Sequence, residues 1–221
     1  MEDLKKTLAE KNSYTFDDLC DIMSVLRSPE GCPWDREQDH MSIRKNFIEE
    51  TYEVCEAIDD GDSVHLCEEL GDVMLQVAFH AQMESEKGTF NIDDVINGVC
   101  RKLIHRHPHV FGDVYVKDAD NVMVNWDAIK KEEKGQKSVG DVLESISRTL
   151  PALMRAQKLI KKADKNGIKL GEDSDEFDAL DADGYADTLM KLCRSAQKKS
   201  IDLEELLDQK CTSVVKKSKN V

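Results

Sequence analysis

Two acidic pairs are the side chains in this sequence best placed to do chemistry. Glu49, Glu50 and Glu53 fall in one segment, and Glu68, Glu69 and Asp72 in the next. Glu50 and Glu53 are three apart, as are Glu69 and Asp72, so on helices each pair projects from one side. The intervening Asp59-Asp60-Gly61-Asp62 reads as a short turn, which makes the two helices antiparallel neighbours. If they pack face to face, four carboxylates converge. Like charges within about 4–6 Å raise one another's pKa. A hard divalent cation removes that cost, and Mg²⁺ accepts carboxylates, waters and substrate phosphate as partners. The four acids thus form a Mg²⁺ platform suited to phosphate chemistry. A single acidic i,i+3 pair is ordinarily just a solvated helix face. Here the pairs lie on adjacent helices, and Glu50 and Glu53 bracket Tyr52 beside apolar Val54 and Cys55.

Other chemistry-bearing residues are less telling by themselves. Lys102 and Arg106, four apart, share one helical face and by themselves read as a pair of solvated cations. Trp34 follows Pro33 in a loop and could stack on a base or pack at an interface. Trp126 alone reads as core. His105, His107 and His109 alternate, but Pro108 interrupts them and no cysteine is near. A structural reading is preferred to a tetrahedral metal site.

The elements that must position these residues are helices. Thr15 reads as an N-cap with Asp18 in a near capping box, followed by Phe16, Leu19, Ile22, Met23 and Leu26 at helical spacing. Pro29, Gly31 and Pro33 break that helix. Ser42 is expected to cap a second helix to about Asp59, with Ile43, Phe47, Val54, Cys55 and Ile58 on its apolar face. A third, from Ser63 to Lys87, buries Leu66, Leu70, Val73, Met74, Val77 and Ala81, with Gly88 as its C′ residue. Asn91 opens a fourth, with Val95, Val99 and Leu103 pointing inward and Pro108 as its stop. A shorter helix holds Trp126 and Ile129 and ends near Gly135. Beyond a soft boundary at 135–150, Ala152 to Lys165 is helical and closed by Gly167. Gly171 to Asp183 is an acidic loop, and two weaker helices run near Tyr185 to Lys198 and Leu203 to Lys217. The fold class is all-α.

Composition narrows the function classes. Aromatics are only 5%, which favours helices over strands. The net charge of −14 repels a phosphate backbone and excludes non-specific nucleic-acid binding, while a metal or a local basic patch would still admit a small anion. Seven cysteines, an odd number with no C-x-x-C, read as reduced thiols of a cytoplasmic protein. The first twelve residues lack an apolar signal-like core, and no run approaches the roughly 20 apolar residues of a membrane span.

Leu26-Arg27-Ser28-Pro29, Gly31-Cys32-Pro33-Trp34-Asp35 and Gln38 are followed by Glu49-Glu50-Thr51-Tyr52-Glu53-Val54. Then come Glu68-Glu69-Leu70-Gly71-Asp72, Gln76-Val77-Ala78-Phe79-His80 and Arg106-His107-Pro108-His109-Val110-Phe111-Gly112. With Trp126-Asp127-Ala128-Ile129-Lys130 and Leu150-Pro151-Ala152-Leu153-Met154-Arg155-Ala156, this ordered set resembles the MazG family of nucleoside triphosphate pyrophosphohydrolases over about two-thirds of the chain. The resemblance implies an all-α fold around a four-helix bundle, a homodimer or dimer of dimers, and hydrolysis of NTPs and dNTPs to monophosphate and pyrophosphate. It implies Mg²⁺ on Glu50, Glu53, Glu69 and Asp72, with Glu49 (or Glu50) handling the attacking water. It assigns Lys102 and Arg106 to phosphate, and Trp126, Lys130 and Trp34 to the nucleotide. His105 stands where the family commonly has a second Arg.

The resemblance places the active domain at 14–135. Longer relatives carry a second such domain. Here Asn166-Gly167-Ile168-Lys169-Leu170 departs from its usual Val-Gly-Phe-Asp-Trp type, and Asp183-Gly184-Tyr185-Ala186-Asp187 keeps only the last acid of its Glu-Glu-Leu-Gly-Asp. The region 149–221 is therefore expected to be a shortened, non-catalytic helical extension. Two rivals remain. A di-iron bundle needs two Glu-x-x-His motifs on helices, and only Glu37-x-x-His40 fits, ahead of the second helix. A helical dimer that senses nucleotides without cleaving them is opposed by the intact acidic quartet.

Overall fold

The computed structural model describes residues 2–133, 135, 138–172 and 174–218, and among these every regular element is a helix. The chain divides into two compact units, Met1–Val114 and Tyr115–Val221.

The first unit contains α1 (Glu2–Ala9), α2 (Phe16–Arg27), α3 (Pro33–Glu37), α4 (Arg44–Asp60), α5 (Ser63–Lys87), α6 (Ile92–Arg106) and α7 (Pro108–Phe111). The long α5 is its centre, packed by α2, α4 and α6, with the α4–α5 contact the most extensive. Met23, Ile43, Phe79 and Met83 form the buried core where α2 and the start of α4 meet α5.

Local chemistry explains the ends of these helices. Thr15 and Asp18 exchange capping-box bonds at the start of α2, and Lys11 pairs with Asp18. Hydrogen bonds from Lys11 and Thr15 hold the Asp18 carboxyl down to about 2. Gly61 ends α4 at φ 67°, a left-handed conformation that a residue without Cβ adopts cheaply. Asp62 then caps α5 by accepting from the Val64 and His65 amides at 2.9 and 3.1 Å. This two-residue reversal fixes the register of the α4–α5 hairpin.

Two expectations for this region are corrected. Ser42 is not the cap of α4. Its amide and hydroxyl are bound to Asp39 in a turn, and α4 begins at Arg44. Trp34 is not in a loop, because Pro33 starts the short helix α3. Gly31 lets the preceding chain pass against α2, where an added Cβ would lie 2.2 Å from the Leu26 carbonyl oxygen. Arg27 locks that passage: it grips Glu86 on α5 through two bonds of 2.7 and 2.8 Å and donates to the Asp35 and Gln38 carbonyls.

The apolar faces also differ from expectation. On α5 the buried residues are Glu69, Gln76, Ala78, Phe79, Ala81 and Met83, while Leu70 and Met74 stay 47% and 44% exposed. Ile58 and Cys55 of α4 are exposed, and so are Val95, Val99 and Leu103 of α6. α5 is apolar on more than one side, so its periodicity did not single out the side that the chain itself covers.

The second unit contains α8 (Ala119–Glu133), α9 (Val139–Glu144), α10 (Ala152–Lys165), α11 (Asp175–Asp178), α12 (Ala182–Lys198) and α13 (Leu203–Ser218). Its core is Leu143, Ile146, Leu159, Ala163 and Cys211, where α9, α10 and α13 meet. Arg155 is 2% exposed and pairs with Asp208 while donating to Thr212 Oγ1 at 3.0 Å. α9, opened by a Ser138–Asp141 capping box, lies in the stretch expected to be a boundary, and α11 lies in the expected acidic loop. α8, with Trp126 and Lys130, belongs to this second unit.

Candidate metal centre

The α4–α5 register brings acids from both helices together. Glu50, Glu69 and Asp72 each offer a carboxylate oxygen, and the three oxygens lie within 4.8 Å of one another. Among the described residues this is the one group of three or more His, Cys, Asp or Glu side chains close enough together that it could hold a metal ion. Glu53, one turn beyond Glu50, is not one of the three, and it acts on the cluster by raising the Glu50 and Glu69 carboxyls.

The carboxylates of this group repel one another. Desolvation pushes the Glu50 carboxyl above its ordinary range, reinforced by the bond to Glu53 and by repulsion from Asp72, Glu53 and Glu69. Glu69, buried between the helices, is pushed up by desolvation and by the negative charge of Glu53, while His65 opposes the shift. His65 Nε2 lies 3.0 Å from Glu69 Oε1, a contact between helical neighbours that the acidic pattern alone did not flag. The leading charges on Glu50 and Glu69 are thus other carboxylates and one imidazole. Neither Lys102 nor Arg106 is among them. Oxygen-only donors at this spacing suit a hard divalent cation.

The remaining expected site residues are distributed as follows. Glu49 is exposed beside Glu50. Lys102 is exposed and Arg106 half-buried toward the C-terminal end of α6. Trp34 is 57% exposed on α3. In the second unit, Lys130 Nζ sits 4.6 Å from the centroid of the Trp126 ring, a cation–π contact. His107 turns its Nδ1 to the Leu103 carbonyl at 2.6 Å, where that nitrogen must donate. Asp187 is exposed on α12.

Sequence reasoning also missed a polar chain further along α5. His40 Nδ1 and His80 Nδ1 are 2.7 Å apart with their rings stacked, and His40 Nε2 lies 2.6 Å from Glu84 Oε1. Lys87, Thr89 and His40 bind Glu84 and hold its carboxyl down to about 2. The partners are 40 and 44 residues apart, so only the fold could pair them.

Residues 38–111, which span the acidic site, match the family model described as the MazG nucleotide pyrophosphohydrolase domain. This chain carries a MazG domain. It is 51% identical over 148 residues to an uncharacterized protein, YabN, of Bacillus subtilis, a match covering 67% of the chain and 30% of that protein. It is 47% identical over 154 residues to the nucleoside triphosphate pyrophosphohydrolase of Escherichia coli K12, covering 69% of the chain and 59% of the relative. A Thermotoga maritima protein named nucleoside triphosphate pyrophosphohydrolase/pyrophosphatase MazG is 47% identical over 153 residues, covering 69% and 58%. The chain therefore spans less than two-thirds of the length of each of these relatives. The MazG match begins at Gln38 and ends at Phe111, so it takes in α4, α5 and α6 whole.

Proposed function

We propose that this chain is a Mg²⁺-dependent nucleoside triphosphate pyrophosphohydrolase that converts NTPs or dNTPs to monophosphate and pyrophosphate, clearing nucleotides from the cytoplasmic pool. The observation that carries the reading is the gathering of Glu50, Glu69 and Asp72 oxygens within 4.8 Å, inside the MazG domain. The names of the Escherichia coli and Thermotoga maritima relatives support the same activity.

In this reading Glu50, Glu53, Glu69 and Asp72 hold the cation, and their mutual repulsion is what makes its binding favourable. When bound, Mg²⁺ supplies charge neutralisation of the triphosphate as phosphorus is attacked. Glu49, exposed at the rim, orients a water and accepts its proton. Lys102 and Arg106 take the phosphates, and Trp34 contacts the nucleoside. The region 14–135 performs the chemistry, and 149–221 is a non-catalytic helical extension. The exposed apolar residues of α4, α5 and α6, namely Ile48, Leu70, Met74, Val99 and Leu103, are covered by a second copy of the chain. The homodimer, alone or paired with another, then completes a helical bundle.

The test is incubation of the full chain with canonical and modified NTPs, followed by product analysis. Monophosphate and pyrophosphate are expected with Mg²⁺ and neither with EDTA. Glu53→Ala should keep its helical circular dichroism and lose turnover. Release of nucleoside diphosphate and inorganic phosphate, or unaltered turnover by Glu53→Ala, would overturn the assignment.

A further inference from the structure

Gln76 lies one turn beyond Asp72 and two beyond Glu69, on the stripe of α5 that carries both acids. It is 7% exposed, and its Oε1 has no hydrogen-bond partner. Buried amide oxygens are nearly always paired, so an orphan calls for a water, an ion or another explanation.

The helix and its register say where that oxygen is. Side chains on a helix tend to lean back toward its N-terminus, which for Gln76 is the direction of the turn that holds Asp72. Across the hairpin, Phe47 of α4 meets the His80 ring edge-on at 5.9 Å, and Glu50 meets Asp72 within 4.8 Å. Gln76 is midway between Asp72 and His80, and so faces the single turn of α4 that runs from Phe47 to Glu50. Toward His80, the imidazole Nδ1 is already engaged by His40. Toward Asp72, the neighbours are carboxylates, which when ionised have no proton to donate. Among the described residues no side chain or backbone group donates to Gln76 Oε1, which leaves it open to a water.

We propose that Gln76 is a positioning residue of the acidic centre, whose Oε1 accepts a hydrogen bond from a water in the hydration shell of the divalent cation held by Glu50, Glu69 and Asp72. The inference rests on the metal-centre reading given above. Mg²⁺ keeps several of its waters when bound by protein, and groups that order such outer contacts alter metal affinity by about 10–100-fold.

The experiment measures Mg²⁺ binding by calorimetry, without nucleotide, on the full wild-type chain, Gln76→Met and Gln76→Glu, together with metal-free melting temperatures. Met fills the volume without a strong acceptor, and Glu restores one. Gln76→Met should bind Mg²⁺ about 10–100-fold more weakly and, freed of a buried orphan, melt no lower than wild type without metal. Gln76→Glu should recover the affinity. Equal Mg²⁺ affinity of wild type and Gln76→Met overturns the role of Gln76 and leaves the centre intact. A lower metal-free melting temperature for Gln76→Met makes Gln76 a fold residue and also overturns it. Failure of the wild-type chain to bind Mg²⁺ overturns the metal-centre reading, and this inference with it.

Discussion

Replacing Asp72 by Asn should stabilise the metal-free protein and abolish its response to Mg²⁺. The change removes one charge from a cluster whose oxygens lie within 4.8 Å while preserving side-chain shape. Two unit charges 4.8 Å apart repel by about 0.9 kcal/mol in water and about 3.5 kcal/mol at an effective dielectric constant of 20. Glu50 and Asp72 are both half-buried, so relief of about 1–2 kcal/mol is reasonable for that pair, with Glu69 acting in the same direction. For a domain of this size, that raises the metal-free melting temperature by several degrees. Mg²⁺ should reverse the order. Ligand at 100 times its Kd stabilises the native state by about 2.7 kcal/mol, a gain that wild type receives and Asp72→Asn largely forfeits. Melting curves by circular dichroism, with EDTA and with a Mg²⁺ series, read both effects, and pyrophosphate release reads turnover. A variant that melts lower than wild type in EDTA, or that shifts equally with Mg²⁺, would refute the argument that these carboxylates are held together at a cost a cation removes.

Three further outcomes are expected. Because Glu50 and Glu69 are pushed above their ordinary values, the folded chain takes up their protons before the unfolded chain does. The stability of the metal-free protein attributable to them should therefore rise as pH falls through those raised values toward the ordinary carboxylate range. Glu50→Gln should show a flatter slope in urea unfolding, and an unchanged slope would contradict the cause given. Asp18 and Glu84 act oppositely, since both are held at about 2: their contribution is complete above their ordinary values and lost as pH falls toward 2. Leu103→Asp, at a position 47% exposed in the single chain, should shift the sedimenting mass from dimer to monomer. A wild-type monomer, or a dimer insensitive to this change, would remove the proposed role of the α6 face.

Legibility varied with the range of the interaction. The α2 capping box, the turn from Asp59 to Asp62 and the full span of α5 follow from neighbours within four residues, and the structure contains them. α3 was hidden because Pro29, Gly31 and Pro33 look alike as breakers, although Pro33 occupies the first turn of a helix that tolerates it. α9 was hidden because six residues leave little periodicity to read. The side of α5 that would be buried could not be chosen, since Leu70 and Met74 carry the same hydrophobic signal as Phe79 and Met83 but lie on another face.

Sequence alone determined the helical class, the acid pairs at one-turn spacing and the short reversal between them. These are consequences of local spacing and of turn residues with special backbone freedom. The tertiary structure decided which oxygens meet, because hairpin register sets Glu50 against Glu69 and Asp72 and leaves Glu49 at the surface. It also decided which polar atoms lack partners. Burial and hydrogen bonding between segments far apart in the chain, such as Gln76, His80 and His40, depend on three-dimensional neighbours that no local pattern encodes.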